Sequence, residues 1–331
     1  MRKLLLSSIF LFQFSLFAFS CFETPFSDTP GKNTLGDHGG IQIPPDLVHK
    51  EYGTPFWGPN GWIIFGHCPQ DSIGNDIIDS SGWYRIRPDG SDKKVMFLNN
   101  NVGVLISPRG ISSDGKWIAA HGNGQIFKVS AEGNSIVQIT IDPVLKFFPT
   151  WSPDGRWLAF TINDDLPFKK RGLYKTNCDG GIYGFWMNID STRPSAIMPS
   201  WSPKGTEIAF VLYRPNFGFK DLALFDTATQ QVRILLQTDV GVHEPVFSPD
   251  GSKLLFYMVP ETENPSIWVI SRDGSSLRKL TFEGGMYPSW SPDGSKIVYV
   301  KFTYDWRVAG TDNGTLWVMN ADGSHKYQLT F

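Results

Sequence analysis

The sequence predicts an all-β fold, a six-bladed β-propeller with four antiparallel strands per blade. Three observations carry that expectation. A turn unit recurs six times, at Trp57-Gly58-Pro59-Asn60-Gly61, Ile111-Ser112-Ser113-Asp114-Gly115, Trp151-Ser152-Pro153-Asp154-Gly155, Trp201-Ser202-Pro203-Lys204-Gly205, Phe247-Ser248-Pro249-Asp250-Gly251 and Trp290-Ser291-Pro292-Asp293-Gly294. Its copies start 40 to 54 residues apart, about 47 on average, which is the length of one propeller blade. A second signature follows each copy, clearest in the strand Leu316 to Asn320, the turn Ala321-Asp322-Gly323 and the closing strand Tyr327 to Phe331. The returning runs, such as Trp157-Leu158-Ala159-Phe160, are apolar at consecutive positions, as expected of strands covered on both faces.

The chain opens with Arg2 and Lys3, then an apolar segment from Leu4 to Phe19 and the small-residue end Ala18-Phe19-Ser20. Residues 1–20 therefore read as a secretory signal peptide, too short and too interrupted to span a membrane. Cys21 follows. The junction is similar to that of bacterial lipoproteins, in which a small residue precedes a cysteine that is lipidated and becomes the new N-terminus. It departs from that pattern at Ala18, where those proteins favour Leu, and it also suits plain signal-peptidase cleavage. Residues 21–45, rich in Thr, Pro, Gly, Ser and Asp, read as a flexible tether, although Ile41-Gln42-Ile43 also has the alternation of a short strand.

The propeller is expected over residues 46–331. Within each turn, Ser152 and its equivalents suit the first position of a type I turn, Pro153 fixes φ at the second, Asp154 takes the third, and Gly155 accepts the left-handed conformation. This is hairpin chemistry, so the turn aspartates are given no catalytic role. At these residues the chain resembles the TolB-like β-propeller repeats, whose motif is Trp-Ser-Pro-Asp-Gly, an apolar strand, and a Leu-Tyr/Trp strand ending near Asp-Gly. The resemblance implies the fold and leaves the function to be argued from the site. The namesake TolB carries an α/β domain ahead of its propeller, where this sequence has a tether, so the expectation is a propeller-only relative and not TolB itself. If blade six ends in its own fourth strand, closure rests on packing between blades one and six.

Composition narrows the function. The net charge is −2, or −4 after residue 20, so no basic field favours nucleic acid. The 12 Trp and 25 Phe suit packing between blades, and Cys68 and Cys178 are expected to be free thiols. There is no Gly-x-Ser-x-Gly, no His-Glu-x-x-His, no Gly-x-x-x-x-Gly-Lys and no close-spaced Cys/His set, so no cofactor or metal is expected.

In a propeller the first-to-second and third-to-fourth turns emerge at one end, and the second-to-third and blade-to-blade connections at the other. The long connections, 68–82, 161–172, 213–221, 259–266 and 302–315, all belong to the second end, where binding residues are expected. They hold Phe168, Lys169, Lys170 and Arg171; Tyr213, Arg214, Phe217, Phe219 and Lys220; and Tyr304, Trp306 and Arg307. Aromatic residues with Arg or Lys are the composition of interface centres. The channel candidates are His243 and Glu244, whose equivalents are Gly53-Thr54, Phe147-Phe148, Ile197-Met198 and Met286-Tyr287. His243 reads as a hydrogen-bonded inner-strand residue, because its equivalents supply no further metal ligand.

Oligogalacturonate lyases have related repeats but hold a metal on several channel histidines that this chain lacks in matching register. Prolyl oligopeptidases and the tricorn protease join similar propellers to a separate catalytic domain. The expectation is an exported monomer, periplasmic or membrane-tethered through lipid on Cys21 alone, that acts as a non-enzymatic protein-binding or scaffolding module of the bacterial cell envelope. A glycan-binding module, or a polysaccharide lyase or hydrolase with a channel site, are the alternatives.

Overall fold

The computed structural model describes residues 48–50, 54–70, 82–98, 105–162, 172–181, 183–188, 195–213, 220–260, 263–302 and 314–330. Among them there is no helix, and the strands fall into six antiparallel sheets in sequence order. Blade one holds β1 (Val48–Lys50), β2 (Phe56–Trp57), β3 (Ile63–Gln70), β4 (Gly82–Ile86) and β5 (Lys94–Leu98), with β1 and β2 both pairing β3 as two pieces of one inner strand. Blade two is β6 (Leu105–Ile111), β7 (Trp117–Gly122), β8 (Gln125–Ser130) and β9 (Ile136–Gln138). Blade three is β10 (Lys146–Trp151), β11 (Trp157–Ile162), β12 (Gly172–Asn177) and β13 (Gly184–Asn188). Blade four is β14 (Ser195–Trp201), β15 (Glu207–Tyr213), β16 (Lys220–Asp226) and β17 (Val232–Leu236). Blade five is β18 (Gly241–Phe247), β19 (Lys253–Val259), β20 (Ser266–Ser271) and β21 (Arg278–Lys279). Blade six is β22 (Met286–Trp290), β23 (Lys296–Phe302), β24 (Gly314–Asn320) and β25 (Tyr327–Gln328).

The repeated turn has the expected geometry. Gly155 N donates to Ser152 O at 2.9 Å, and Gly155 sits at φ 70°, where a Cβ would be strained. The side chains add a second layer that the type I reading did not contain. In blade two Ser112 Oγ donates to Asp114 Oδ1 at 2.6 Å and accepts from Trp117 N at 3.0 Å, while Asp114 Oδ1 accepts from Lys116 N at 3.1 Å. The same Ser–Asp arrangement recurs in blades three, five and six, while Asn60 and Lys204 replace the aspartate in blades one and four; where present it satisfies the turn's own backbone donors, which fixes the register of the strand that leaves it.

The consecutive apolar runs also have a simple cause. Leu158, Phe160 and Ile162 of β11 pack into the layer shared with blade two, while Ala159 faces the layer shared with blade four. The alternation repeats in blade four, where Ile208, Phe210 and Leu212 face blade three and Ala209 and Val211 face blade five. Side chains on a strand alternate between two faces, and both faces are interior here. The buried residues accordingly form six clusters, one between each pair of neighbouring blades.

The sixth cluster closes the ring. It joins Ile63, Phe65, Tyr84 and Ile86 of blade one to Val298, Val300, Leu316, Val318 and Leu329 of blade six. Among the described residues two hydrogen bonds cross the same boundary, Tyr327 Oη to Pro88 O at 3.0 Å and Trp57 N to Ser289 Oγ at 3.3 Å. Every blade thus completes itself with a contiguous stretch of chain, and the inner strands of successive blades contact one another around a central channel.

Candidate functional site

The two ends of the channel differ in chemistry. At the short-turn end, a cleft between blades four and five is lined by Ser202, Lys204, Asp250, Ser252 and Arg272. Its arginine is already engaged: Arg272 Nε donates to Glu207 Oε2 at 2.6 Å, and Arg233 Nη2 donates to Arg272 O at 3.0 Å. These bonds tie neighbouring blades together and leave this end a structural seam.

The long-connection end is different. The blade-to-blade segment between β9 and β10 exposes Ile141, at 88%, and Leu145, at 42%, while that between β21 and β22 exposes Phe282, at 73%. Ile141 and Phe282 are the most exposed large apolar side chains among the described residues. Lys146 orders the first segment from beneath: fully buried, its ammonium donates to Val144 O at 2.6 Å and Asp142 Oδ1 at 2.9 Å. Lys279 flanks Phe282, with Nζ 5.4 Å from the ring and 3.2 Å from Glu263 Oε2.

Inside the rim of the same end, a cluster of ionisable groups spans blades four, five and six. Each of four inner strands carries a β-bulge at which a residue before proline takes positive φ: Phe148 at 53°, Met198 at 56°, Glu244 at 50° and Tyr287 at 52°. Proline disfavours the right-handed helical region for the residue preceding it, and the bulge then selects the left-handed one. Glu244 N donates to Met198 Sδ at 3.5 Å, which links two of these positions across the blade boundary. Beside Glu244, His243 stacks on Tyr257 with ring centroids 5.0 Å apart and planes 10° apart. The Tyr257 and Tyr287 hydroxyls hydrogen-bond, with the rings edge to face at 5.3 Å. Lys220 opens β16 of the preceding blade, is 7% exposed, and places Nζ 3.4 Å from His243 Nδ1.

Burial sets the protonation of this cluster. It pushes the Lys220 amine down to about 8, against the upward pull of the Glu244 charge. His243 is held well below its ordinary range by burial and then by Lys220, so its ring is neutral and Nδ1 accepts from the lysine. Burial drives the Tyr257 hydroxyl well above the usual phenol range, with smaller contributions from Tyr287 and Glu244. Among the described residues no group of three His, Cys, Asp or Glu side chains is placed to hold a metal.

Of the sequence-derived candidates, the structure brings together Lys220, His243 and Glu244. Lys220 is a buried strand residue and not a loop cation, while Tyr213, its cross-strand partner, is half-buried. Cys21, Phe168, Lys169, Lys170, Arg171, Arg214, Phe217, Phe219, Tyr304, Trp306 and Arg307 lie outside the described residues. His243 stands on the inner strand β18, and the ionisable groups around it come mostly from other strands. Tyr287 was visible only as the equivalent of Glu244. Tyr257 gave no signal, because it sits in an apolar strand that reads as core, and Ile141 and Phe282 gave none because isolated apolar residues in connections are ordinary.

Comparison with known proteins agrees with this architecture. The family model described as the TolB beta propeller domain matches residues 185–331. An uncharacterized protein of Agrobacterium fabrum strain C58 is 25% identical over 199 residues, covering 59% of this chain and 65% of that protein. The Tol-Pal system protein TolB of Anaeromyxobacter dehalogenans strain 2CP-C is 35% identical over 108 residues, 30% of this chain and 23% of its own length. The chain thus spans less than two thirds of these relatives. In fold it is similar to the crystal structure of TolB from Acinetobacter baumannii, with a TM-score of 0.59 at 20% identity over 87% of this chain and 65% of that one. Lyase and peptidase propellers occur among the further matches. The repeated motif, the six blades and the match over residues 185–331 make the chain similar to the TolB beta propeller domain family.

Proposed function

We propose that this protein is an exported, non-enzymatic binding module of the bacterial cell envelope, tethered through lipid on Cys21, that captures a protein partner on its long-connection end. The observation that carries this reading is the exposure of Ile141 and Phe282, at 88% and 73%, at the same end as the long connections. Bulky apolar groups are left in water at a cost that burial against a partner relieves. The match to a Tol-Pal system protein supports an envelope setting. Crosslinking and affinity capture of the native protein from the envelope test it, with Phe282→Asp and Ile141→Asp as variants. The wild type is expected to hold a reproducible protein partner through this end, and each variant to reduce recovery about tenfold or more. Equal recovery with both variants would refute the assignment of this end. A second reading, an acid–base enzyme in the channel, draws on the convergence of Lys220, His243, Glu244, Tyr257 and Tyr287. Release of unsaturated oligosaccharides from an acidic polysaccharide by the purified protein would transfer the assignment to it.

A further inference from the structure

We infer that the seam between blades four and five, at the long-connection end of the channel, receives a carboxylate carried by an acidic segment of the partner protein, and that Lys220 is the group that takes it. The inference rests on the long-connection end being the binding end, and it adds the chemistry that is recognised there.

Two buried lysines of this chain make the case by contrast. An ammonium carries three N–H donors. Lys146 places acceptors around its ammonium, Val144 O at 2.6 Å, Asp142 Oδ1 at 2.9 Å and Gln125 Oε1 at 3.3 Å, and its role ends with ordering that connection. Lys220 is nearly as buried, yet among the described residues its one hydrogen-bond contact is the long one to His243 Nδ1, at 3.4 Å. Glu244 acts on it through charge, and the pull is too weak to offset the burial of the amine. A desolvated ammonium short of acceptors is costly, and an oxygen acceptor arriving from the channel removes that cost.

The surroundings select the acceptor. The Glu244 charge opposes a dianion such as phosphate more than a singly charged carboxylate. Glycine at 241 makes room for the His243 ring that presents Nδ1 to the lysine, because a Cβ there would stand 3.1 Å from Nε2. The aliphatic and aromatic groups exposed at the same end, Ile141, Leu145 and Phe282, suit a protein segment better than a hydrated sugar.

The groups that face Lys220 are His243 and Glu244 from β18 and Tyr213 across β15, with Asp221 next on its own strand accepting from Thr238 N at 3.4 Å, and Tyr257 and Tyr287 beyond Glu244. With His243 held neutral and Tyr257 pushed far up, the lysine controls the response between pH 7 and 9.

The test uses the full chain with ε-carbon-labelled lysine, the Lys220 resonance being assigned through Lys220→Met and Lys220→Arg. The probes are a capped tetraglutamate peptide, its tetraglutamine counterpart and trigalacturonate. The glutamate peptide is expected to raise the Lys220 midpoint by about one unit and to bind about fivefold more weakly at pH 9 than at pH 7. Lys220→Met should lose that pH dependence, and the glutamine peptide should not move the resonance. A Lys220 resonance indifferent to the glutamate peptide, or one that answers trigalacturonate alone, overturns the inference, and the wild-type titration decides this even if a variant fails to fold. Partner capture abolished by Phe282→Asp with no Lys220 response leaves the binding end standing and removes the carboxylate site. A Lys220 response with capture unchanged in Phe282→Asp and Ile141→Asp does the reverse.

Discussion

A lysine buried beside a neutral histidine has a thermodynamic signature of its own. The Lys220 amine titrates near 8 in the folded protein and near its ordinary 10.5 when unfolded, so between those values the unfolded chain binds more protons and stability rises with pH. Below pH 8 the buried charge is a standing cost of about 3 kcal/mol. Lys220→Met is therefore expected to stabilise the protein at pH 7 by up to about 3 kcal/mol, a gain that vanishes by about pH 10.5, as read by urea unfolding at the two pH values. The turn aspartates run the opposite way. Hydrogen bonds from Ser248 and Ser291 hold the Asp250 and Asp293 carboxyls down to about 2, so their contribution is present above the ordinary carboxylate range and is lost as pH falls toward 2. Replacing both by Asn should flatten the acid limb of the stability profile between pH 4 and 2, and an unchanged acid limb would show that the Ser-Asp lock does not operate in solution. These side chains are exposed, so the effect is modest. The residue scale is also where the sequence was least legible. The Ser, Asp and Gly of each turn act on neighbours two or three positions away, and their chemistry can be read from order alone. Lys220 of blade four and Glu244 of blade five act on one another, and Tyr287 of blade six acts on Tyr257, across blade boundaries.

At the scale of the strand, the decisive fact is that both faces are interior. Phe256 of β19 is fully buried in the layer between blades four and five, among Val211, Leu222, Leu224 and Met258. Truncation to Ala removes a large contact surface that packed neighbours cannot refill, so Phe256→Ala is expected to cost about 3–5 kcal/mol in chemical unfolding. Trp157 opens β11 at 38% exposure with Lys175 Nζ 5.2 Å from its ring, and Trp157→Ala should cost far less, about 1 kcal/mol. The sequence made this distinction readable in part: consecutive apolar residues announced strands covered twice, and the spacing of the turn unit announced their number. It did not announce the bulges. Phe148, Met198, Glu244 and Tyr287 all precede proline and stand three residues before an aromatic, a periodicity visible once the copies are aligned, but only the backbone conformation reveals that these residues share the channel. A further device is the pair at the end of blades two, five and six, Ile139-Thr140, Leu280-Thr281 and Leu329-Thr330. In each, the threonine hydroxyl accepts a backbone N–H of the third strand at 2.9 Å, from Ile126, Ile267 and Leu316 respectively.

At the scale of the whole ring, the open question for any propeller is how the last blade meets the first. Among the described residues the fourth strand of blade six is its own and no strand exchange fastens the boundary, and the cluster joining Ile63, Phe65 and Tyr84 to Val298, Leu316 and Leu329 holds it by packing. The repeated Leu-Thr pair supplies an internal control. Leu280 is 3% exposed in the layer between blades five and six, where the chain itself connects the blades; Leu329 is 5% exposed in the layer between blades six and one, where it does not. In both, the leucine amide donates to the third strand, to Ile267 O at 2.8 Å and to Leu316 O at 2.7 Å. Repeat architectures gain stability from each unit and each interface, so an interface that opens before global unfolding contributes little to the measured total. If the ring unfolds as one cooperative body, Leu329→Ala and Leu280→Ala should each cost about 2–5 kcal/mol and should agree within about 1 kcal/mol, because the chemistry removed is the same. If the boundary frays first, Leu329→Ala will cost much less than Leu280→Ala, and amide exchange in β24 and β25 will outpace that in β20 and β21. The packing and the crossing bond from Tyr327 to Pro88 favour equality, and urea unfolding of the two variants side by side decides between a closed ring and one that opens at its own seam.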